Sequence, residues 1–439
     1  MLAIIKLAAI LAVIVFLLLR LRLNLGLALL AGSALTGVLF PVAPWRFLEV
    51  ALWGVVSADG ICFILLVVFI VLLSHLMEKS GHLQRVVERL GEVVGTGRRR
   101  LATLPAIIGL LPMPGGAIFS APMVHAASGE MGFEPARKVA INHWFRHIWE
   151  FCWPLYPGVI AYQAQLSGLN LSLVKVLPYQ VPLTAAMVLI GFLTLFPRRI
   201  KKPPMESGKH GRGERVRRLV GIGMPIIIVI VIFAGLQYPA AVLQDRAALA
   251  GGNATAQVQT LLARLPLLLG LVASICYVMW VNRMPLADLA AFFTKSGKGW
   301  SMALMVVGII VFGGIVAESK AGGEAAAFFR YHGLEPLVIV GVPFIIAMVT
   351  GITVAYVSIS FPLVIPLIEG NPHKLALAVL AYGAGFIAML DSPVHLCLVL
   401  GKQYFGAETR ATYRFLVAPT LLLIAALAGL YLILRLSGV

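Results

Sequence analysis

Charge is scarce in this sequence, and acid scarcest. Of 439 residues only 12% are charged, with 18 Asp and Glu against 35 Lys and Arg; soluble domains carry about 25% charged residues. With 60% hydrophobic residues the chain cannot turn a polar face to water, which excludes a soluble globular class and leaves a polytopic membrane protein in the lipid bilayer. Cysteine is scarce too. Cys62, Cys152, Cys276 and Cys397 all lie in apolar segments, without metal-ligand spacing or a disulfide framework, and read as small buried hydrophobes. The opening MLAIIKLAAILAVIVFLLLR lacks the basic start of a secretory signal and reads as a retained first span. The net charge of +17 sits mostly in short loops, as cytoplasmic anchors do, so no nucleic-acid partner is expected.

What is present is a pattern of spans. About 20 apolar residues cross the roughly 30 Å hydrocarbon core. Such runs fall near 1–19, 25–41, 60–78, 178–196, 219–237, 264–281, 300–317 and 413–435. Between the third and fourth lie a basic amphipathic connector, HLQRVVERLGEVVGTGRRR, and the segment LATLPAIIGLLPMPGGAIFSAPMVHAA. Its two apolar arms reach only about 18 Å each as helices, and no straight helix accepts the intervening Pro112-Met113-Pro114-Gly115-Gly116. A re-entrant hairpin over 101–127 is predicted, followed by a helix over 136–165 broken at Trp153-Pro154-Leu155-Tyr156-Pro157-Gly158. A second hairpin over 336–367 is interrupted at Thr350-Gly351-Ile352-Thr353, and a second broken helix over 374–402 carries Asp391-Ser392-Pro393.

The chain thus contains itself twice, roughly 240 residues apart: Glu78 answers Glu318, Ser120 Ser360, Pro122 Pro362, Val124 Val364, Ala136 Ala376 and Val139 Val379. Residues 1–197 form one repeat, the basic stretch 198–218 a linker, and 219–439 the other. If the hairpins add no net crossing, each repeat crosses five times, so the second copy is inverted. The expectation is an all-α protein of two inverted-topology repeats, with about ten transmembrane helices, two re-entrant hairpins and two broken helices. Charge tests this independently. With both termini external and the linker cytoplasmic, cytoplasmic segments hold 25 of the 35 Lys and Arg, as the positive-inside rule requires of a protein in the cytoplasmic membrane.

Interrupted backbone at membrane depth is tolerated only inside protein or around a wet cavity. Half-helices ending there present N–H groups to an anion and carbonyls to a cation. Pro114, Gly115, Gly116 and Ser120 at the first tip, and Thr350, Gly351, Thr353 and Ser358 at the second, are therefore candidate substrate contacts. On the first broken helix Asn142, Arg146 and Glu150 share one face, with His143 and His147 beside it. An intramembrane arginine marks a functional site by default. Arg146 either grips a substrate carboxylate in a bidentate fork or pairs with Glu150. His143 and His147 are candidates for proton relay, with His147 in ion coupling, or for interfacial or satisfied core histidines, and His395, one turn beyond Asp391, is a further ion-coupling candidate. Asp391, with Ser392, either holds a coupling Na⁺ or H⁺ or caps the half-helix that follows. No other cofactor is expected.

The stretches LLPMPGGAIFSAPMV, NHWFRHIWEFCWPLYPG, TGITVAYVSISFPLV and MLDSPVHLCLVLGKQYFG, in that order and spacing, resemble the ion-transporter superfamily of gluconate permeases and citrate and dicarboxylate carriers. The resemblance is nearest to an uncharacterised ten-span membrane family within it, a domain of unknown function. It implies an elevator-type carrier, a homodimer, in which the first spans of each repeat frame a mobile unit of hairpins and broken helices. The Ser-Asn-Thr tripeptides that bind substrate and sodium in better-studied relatives are replaced here by Pro-Met-Pro-Gly-Gly, Thr-Gly-Ile-Thr, Cys-Trp-Pro and Asp-Ser-Pro.

These features converge on a secondary active transporter, a symporter of a small organic anion with H⁺ or Na⁺, and not an enzyme. Two other readings compete: a channel, and a membrane-embedded metalloenzyme built on His143, His147 and Glu150. The latter lacks an HExxH motif, since Arg146 precedes the second histidine.

Overall fold

The computed structural model describes residues 1–82, 84–85, 97–111, 113, 116–129, 131–166, 169, 171, 173–197, 212–250 and 253–438. Among these there are nineteen helices and no strand. In chain order they are α1 (Leu2–Leu19), α2 (Leu25–Leu39), α3 (Pro44–Val56), α4 (Ala58–Lys79), α5 (Arg98–Gly109), α6 (Ala117–Ser128), α7 (Pro135–Arg146), α8 (Pro157–Leu166) and α9 (Leu173–Thr194). The second half continues with α10 (Arg212–Ala250), α11 (Asn253–Val281), α12 (Ala287–Thr294), α13 (Lys298–Glu318) and α14 (Ala321–Tyr331). It closes with α15 (Glu335–Thr350), α16 (Thr353–Ile368), α17 (Lys374–Leu390), α18 (Leu396–Phe405) and α19 (Thr409–Leu436). Seven of these helices contain a stretch long and apolar enough to cross a membrane, in α1, α4, α9, α10, α11, α13 and α19. The chain is a multi-pass membrane protein.

The interruptions fall at the Pro and Gly positions. Pro157 opens α8 and Pro135 opens α7, where proline's fixed φ and missing N–H suit the first helical turn. Gly351 ends α15 with φ +63°, a left-handed conformation that glycine adopts without steric cost. The expected hairpins are the pairs α5/α6 and α15/α16, and the broken helices are α7/α8 and α17/α18. Three short helices were not anticipated: α3, α12 and α14. None has the length of a span, and α3 has no buried residue at all, so hydropathy alone does not find them. The stretch from 212 is helical and runs unbroken to Ala250, so α10 extends well beyond the expected span 219–237 and absorbs the end of the linker. Linker residues 198–211, and most of the basic connector, lie outside the described residues.

The chain divides into two compact units. One comprises Arg22–Val93 and Gly208–Glu318. Within it α2 packs on α13, α4 on α11, and α10 on α11. Asn24 caps α2 by accepting from the Gly26 N–H at 2.7 Å and donates to Ser301 Oγ at 2.6 Å. Arg46 bridges Glu318 at 2.8 Å and Glu49 at 2.9 Å, so Glu318 serves a helix-end ion pair. Helices α2 and α13 touch backbone to backbone. A Cβ on Gly26 would stand 2.2 Å from the Leu304 carbonyl oxygen. Gly26→Leu is therefore expected to cost at least about 1–3 kcal/mol, the range for overpacking. Thermal unfolding of the purified protein in detergent checks this; an unmoved midpoint would mean the two helices part freely.

The other unit comprises Met1–Leu21, Val94–Ser207 and Ser319–Val439, and it contains both hairpins and both breaks. Its packing repeats itself. Helix α5 packs on α7 as α15 does on α17, and α6 packs on α18 as α16 does on α8. Helices α9 and α19, counterparts in the element order, pack on each other.

Candidate functional site

Every helix end leaves carbonyls without intrahelical partners. At the end of α5 three aromatic side chains of the first break supply donors. Trp149 Nε1 donates to Ala106 O at 2.8 Å, Trp153 Nε1 to Leu110 O at 3.1 Å, and the Tyr156 hydroxyl to Gly109 O. The first hairpin is thereby fastened to the first break. Contact is closest at Gly109, where a Cβ would stand 2.0 Å from the Arg146 carbonyl oxygen.

Arg146 ends α7 and is 3% exposed. Its Nη2 donates to Met113 O at 3.0 Å, and its guanidinium lies against Gly116, whose absent Cβ leaves the space. Nε and Nη1 are buried with no hydrogen-bond partner. Among the described residues no ion pair joins Arg146 to Glu150. Glu150 instead accepts from Thr353 Oγ1 at 2.7 Å through Oε2, and its Oε1 lies 3.8 Å from His147 Nε2. The second tip thus reaches the first break. Gly158 makes room for this contact, since a Cβ there would stand 2.4 Å from Thr353 Cγ2. The Tyr382 hydroxyl, from α17, donates to Glu150 O at 2.7 Å.

The second break closes the ring of contacts. His395 Nδ1 lies 2.7 Å from Gly351 O, and Ser392 Oγ donates to Met348 O at 2.6 Å. His143 Nε2 lies 2.7 Å from Leu390 O, and His147 Nδ1 lies 2.6 Å from His143 O. His147 Nε2 and His395 Nε2 face each other at 3.1 Å. Both tips and both breaks therefore meet in one buried polar cluster inside this unit.

Of the candidate residues, the structure gathers Gly116, Arg146, His147, Glu150, Gly351, Thr353 and His395. Asn142 is buried beside the first tip, its Nδ2 3.5 Å from Ala117 O and its Oδ1 unpartnered. Ser120 turns its hydroxyl toward carbonyls of its own turn, Gly116 O and Ala117 O, both at 3.5 Å. Thr350 donates to Ile346 O at 2.8 Å, back into its own helix, as β-hydroxyls in helices do. Its hydroxyl is therefore already engaged, as is that of Ser392. Ser358 Oγ is buried without a partner. Asp391 Oδ1 is likewise buried and unpartnered, while its main-chain carbonyl accepts from the Tyr413 hydroxyl at 2.7 Å. Asp391 closes the C-terminus of α17; the next half-helix starts at Leu396, capped at His395. The expected cap role for Asp391 is corrected accordingly. Pro114 and Gly115 lie outside the described residues.

Sequence reasoning missed the aromatic donors Trp149, Trp153 and Tyr156, the link from Tyr382, and Cys397, which is buried next to His147 and His395. Their spacing follows the break itself: WEFCWPLY places two indoles and a phenol over the carbonyls of one buried helix end. That was the available signal.

Residues 3–210 and 254–434 match the model of a family described as "Protein of unknown function (DUF401)". No curated protein matches the chain.

Proposed function

This chain belongs to the DUF401 family, and we propose that it is a secondary active transporter for a small organic anion. One observation carries the reading. Arg146 is a buried guanidinium with two donor nitrogens unused, at the point where four interruptions of the backbone meet. A fixed cation with spare donors in a low-dielectric site attracts a carboxylate strongly. Gly116 lets the backbone come close, and Asn142 and Ser358 offer unsatisfied polar atoms nearby in sequence to the tips and breaks.

Coupling is to H⁺ or Na⁺, with Asp391 as the first candidate, since its Oδ1 is buried without a hydrogen-bond partner among the described residues. The repeats are inverted in the membrane. The recurrence of element order, and the exchange of helix contacts when each helix is replaced by its counterpart, support this. The gathering of both hairpins and both breaks into one unit supports alternating access by an elevator-like movement of that unit. The working form is a homodimer in the cytoplasmic membrane, with both termini external.

The test is a thermal-shift screen of the purified protein against small carboxylates and other anions, each with and without sodium. A ligand that binds only the folded state at 100 times its Kd adds about 2.7 kcal/mol of apparent stability. A saturable rise for at least one organic anion, with matching uptake into proteoliposomes, is expected. If no anion shifts the midpoint and none is taken up, the reading fails.

A further inference from the structure

The histidines of the cluster have a hydrogen-bonding pattern that a relay of neutral imidazoles does not explain. Each ring has one nitrogen within 2.6–2.7 Å of a carbonyl oxygen: His147 Nδ1 at His143 O, His395 Nδ1 at Gly351 O, and His143 Nε2 at Leu390 O. A carbonyl only accepts, so each of those nitrogens carries the proton. The remaining nitrogens, His147 Nε2, His395 Nε2 and His143 Nδ1, are then bare lone pairs. Two of them face each other at 3.1 Å, and the third is buried without any partner. All three residues are buried, at 1%, 2% and 8% exposure for His143, His147 and His395. Facing lone pairs repel unless an electrophile lies between them. One proton would satisfy the facing pair and leave His143 Nδ1 orphaned.

We propose that His143, His147 and His395 bind a divalent transition-metal ion such as Zn²⁺, with Glu150 as the fourth ligand. One ring nitrogen of each histidine lies within 4.8 Å of the others. Bonds of 2.0–2.1 Å to a tetrahedral ion put ligand atoms about 3.3 Å apart. The facing pair is already near that spacing, and small ring rotations bring in the third. Glu150 Oε1, 3.8 Å from His147 Nε2, is next in reach. Imidazole suits borderline ions such as Zn²⁺, and its carboxylate neighbour offsets part of the charge. The carbonyl contacts supply what metal-binding histidines need, a partner on the far nitrogen that fixes tautomer and ring orientation. All three carbonyls belong to helix ends or the last turn of a helix: His143 in α7, Leu390 in α17 and Gly351 after α15. Arg146, the cation that argued against such a site in the sequence, turns to Met113 and Gly116. Arg146 thus gives its hydrogen bond to the first tip, although it also neighbours Cys397 beside the histidines.

The inference goes beyond the transport reading and does not depend on it. Full-length protein in detergent is stripped with a chelator, then titrated with Zn²⁺ and with Co²⁺ as a spectroscopic probe. One ion per chain is expected, with the visible absorption of tetrahedral Co²⁺. His395→Asn and His147→Asn place an amide N–H near the position of Nδ1–H, for the carbonyl, and remove the lone-pair Nε2; each should weaken binding by about 100-fold or more. His332→Ala, at an exposed position, should leave affinity unchanged. If the asparagine variants do not fold, a Zn²⁺-dependent rise in the unfolding midpoint of the unaltered protein, reversed by chelator, takes their place. No ion bound by the unaltered protein, or affinity unchanged in both asparagine variants, overturns the site. Metal binding is read at equilibrium without transport, so its failure is distinct from failure of anion uptake.

Discussion

Arg146→Ala is expected to remove binding of the acidic solute while leaving a folded protein. Truncating one partner of a buried, hydrogen-bonded charge contact costs about 2–5 kcal/mol. At 1.4 kcal/mol per tenfold, affinity falls by roughly 30-fold to several thousand-fold. Arg146→Lys keeps the charge and loses the planar fork, so it should recover only part of the loss. The competing role, neutralising Glu150, makes a different forecast. A structural partner would weaken neutral and acidic solutes alike, and Glu150→Gln would rescue the alanine variant. The geometry favours the first outcome, because Glu150 is engaged by Thr353 and Arg146 by Met113. Direct titration of each variant with the anion found in the thermal-shift screen, and with its amide, measures the difference. Equal losses for acid and amide would remove Arg146 from the anion site.

Gly109→Ala is expected to be the most damaging small substitution in this unit. The added Cβ would lie 2.0 Å from the Arg146 carbonyl oxygen and 2.9 Å from its carbon. Both are main-chain atoms, so no rotamer relieves the clash; α5 must move off α7. Overpacking alone costs about 1–3 kcal/mol. The displacement also pulls Trp149, Trp153 and Tyr156 away from the carbonyls they cover. Each buried group left unsatisfied costs about 1–3 kcal/mol more. A total above about 3 kcal/mol follows, seen as a lowered unfolding midpoint or as loss of folded protein from the membrane. Gly341→Ala is the contrast, since a Cβ there meets nothing within 4 Å in the interior of α15. It should be neutral or stabilising by up to about 1 kcal/mol. If the two variants melt together, α5 and α7 do not pack as described.

The hairpins and breaks were legible because their signal is local. Pro and Gly dictate φ or remove an N–H at their own position, so PMPGG, TGIT, WPLYPG and DSP mark interruptions without reference to the rest of the chain. Arg146 and Glu150 were legible for a similar reason: charge in an apolar run is conspicuous. Other features depend on residues far apart in sequence. His395 stood out less than Asp391, yet it joins a cluster with His147, 248 positions away. Nothing in its neighbourhood announces that. The hydroxyls of Thr350 and Ser392 looked available, but nearby carbonyls engage them at 2.8 and 2.6 Å. Short amphipathic helices such as α3 escape any search based on span length.

The contacts across the two halves also bear on how the protein is made. His143 and Leu390 are 247 residues apart, and Glu150 and Thr353 are 203 apart. A chain emerging from its N-terminus inserts the first break long before either partner exists. During that interval a guanidinium, a carboxylate and several helix-end carbonyls are without their final contacts. Polar groups left so in hydrocarbon are costly, so the first half is a stage of biogenesis rather than a separable module. Co-expressing the halves should rescue what neither half alone can hold.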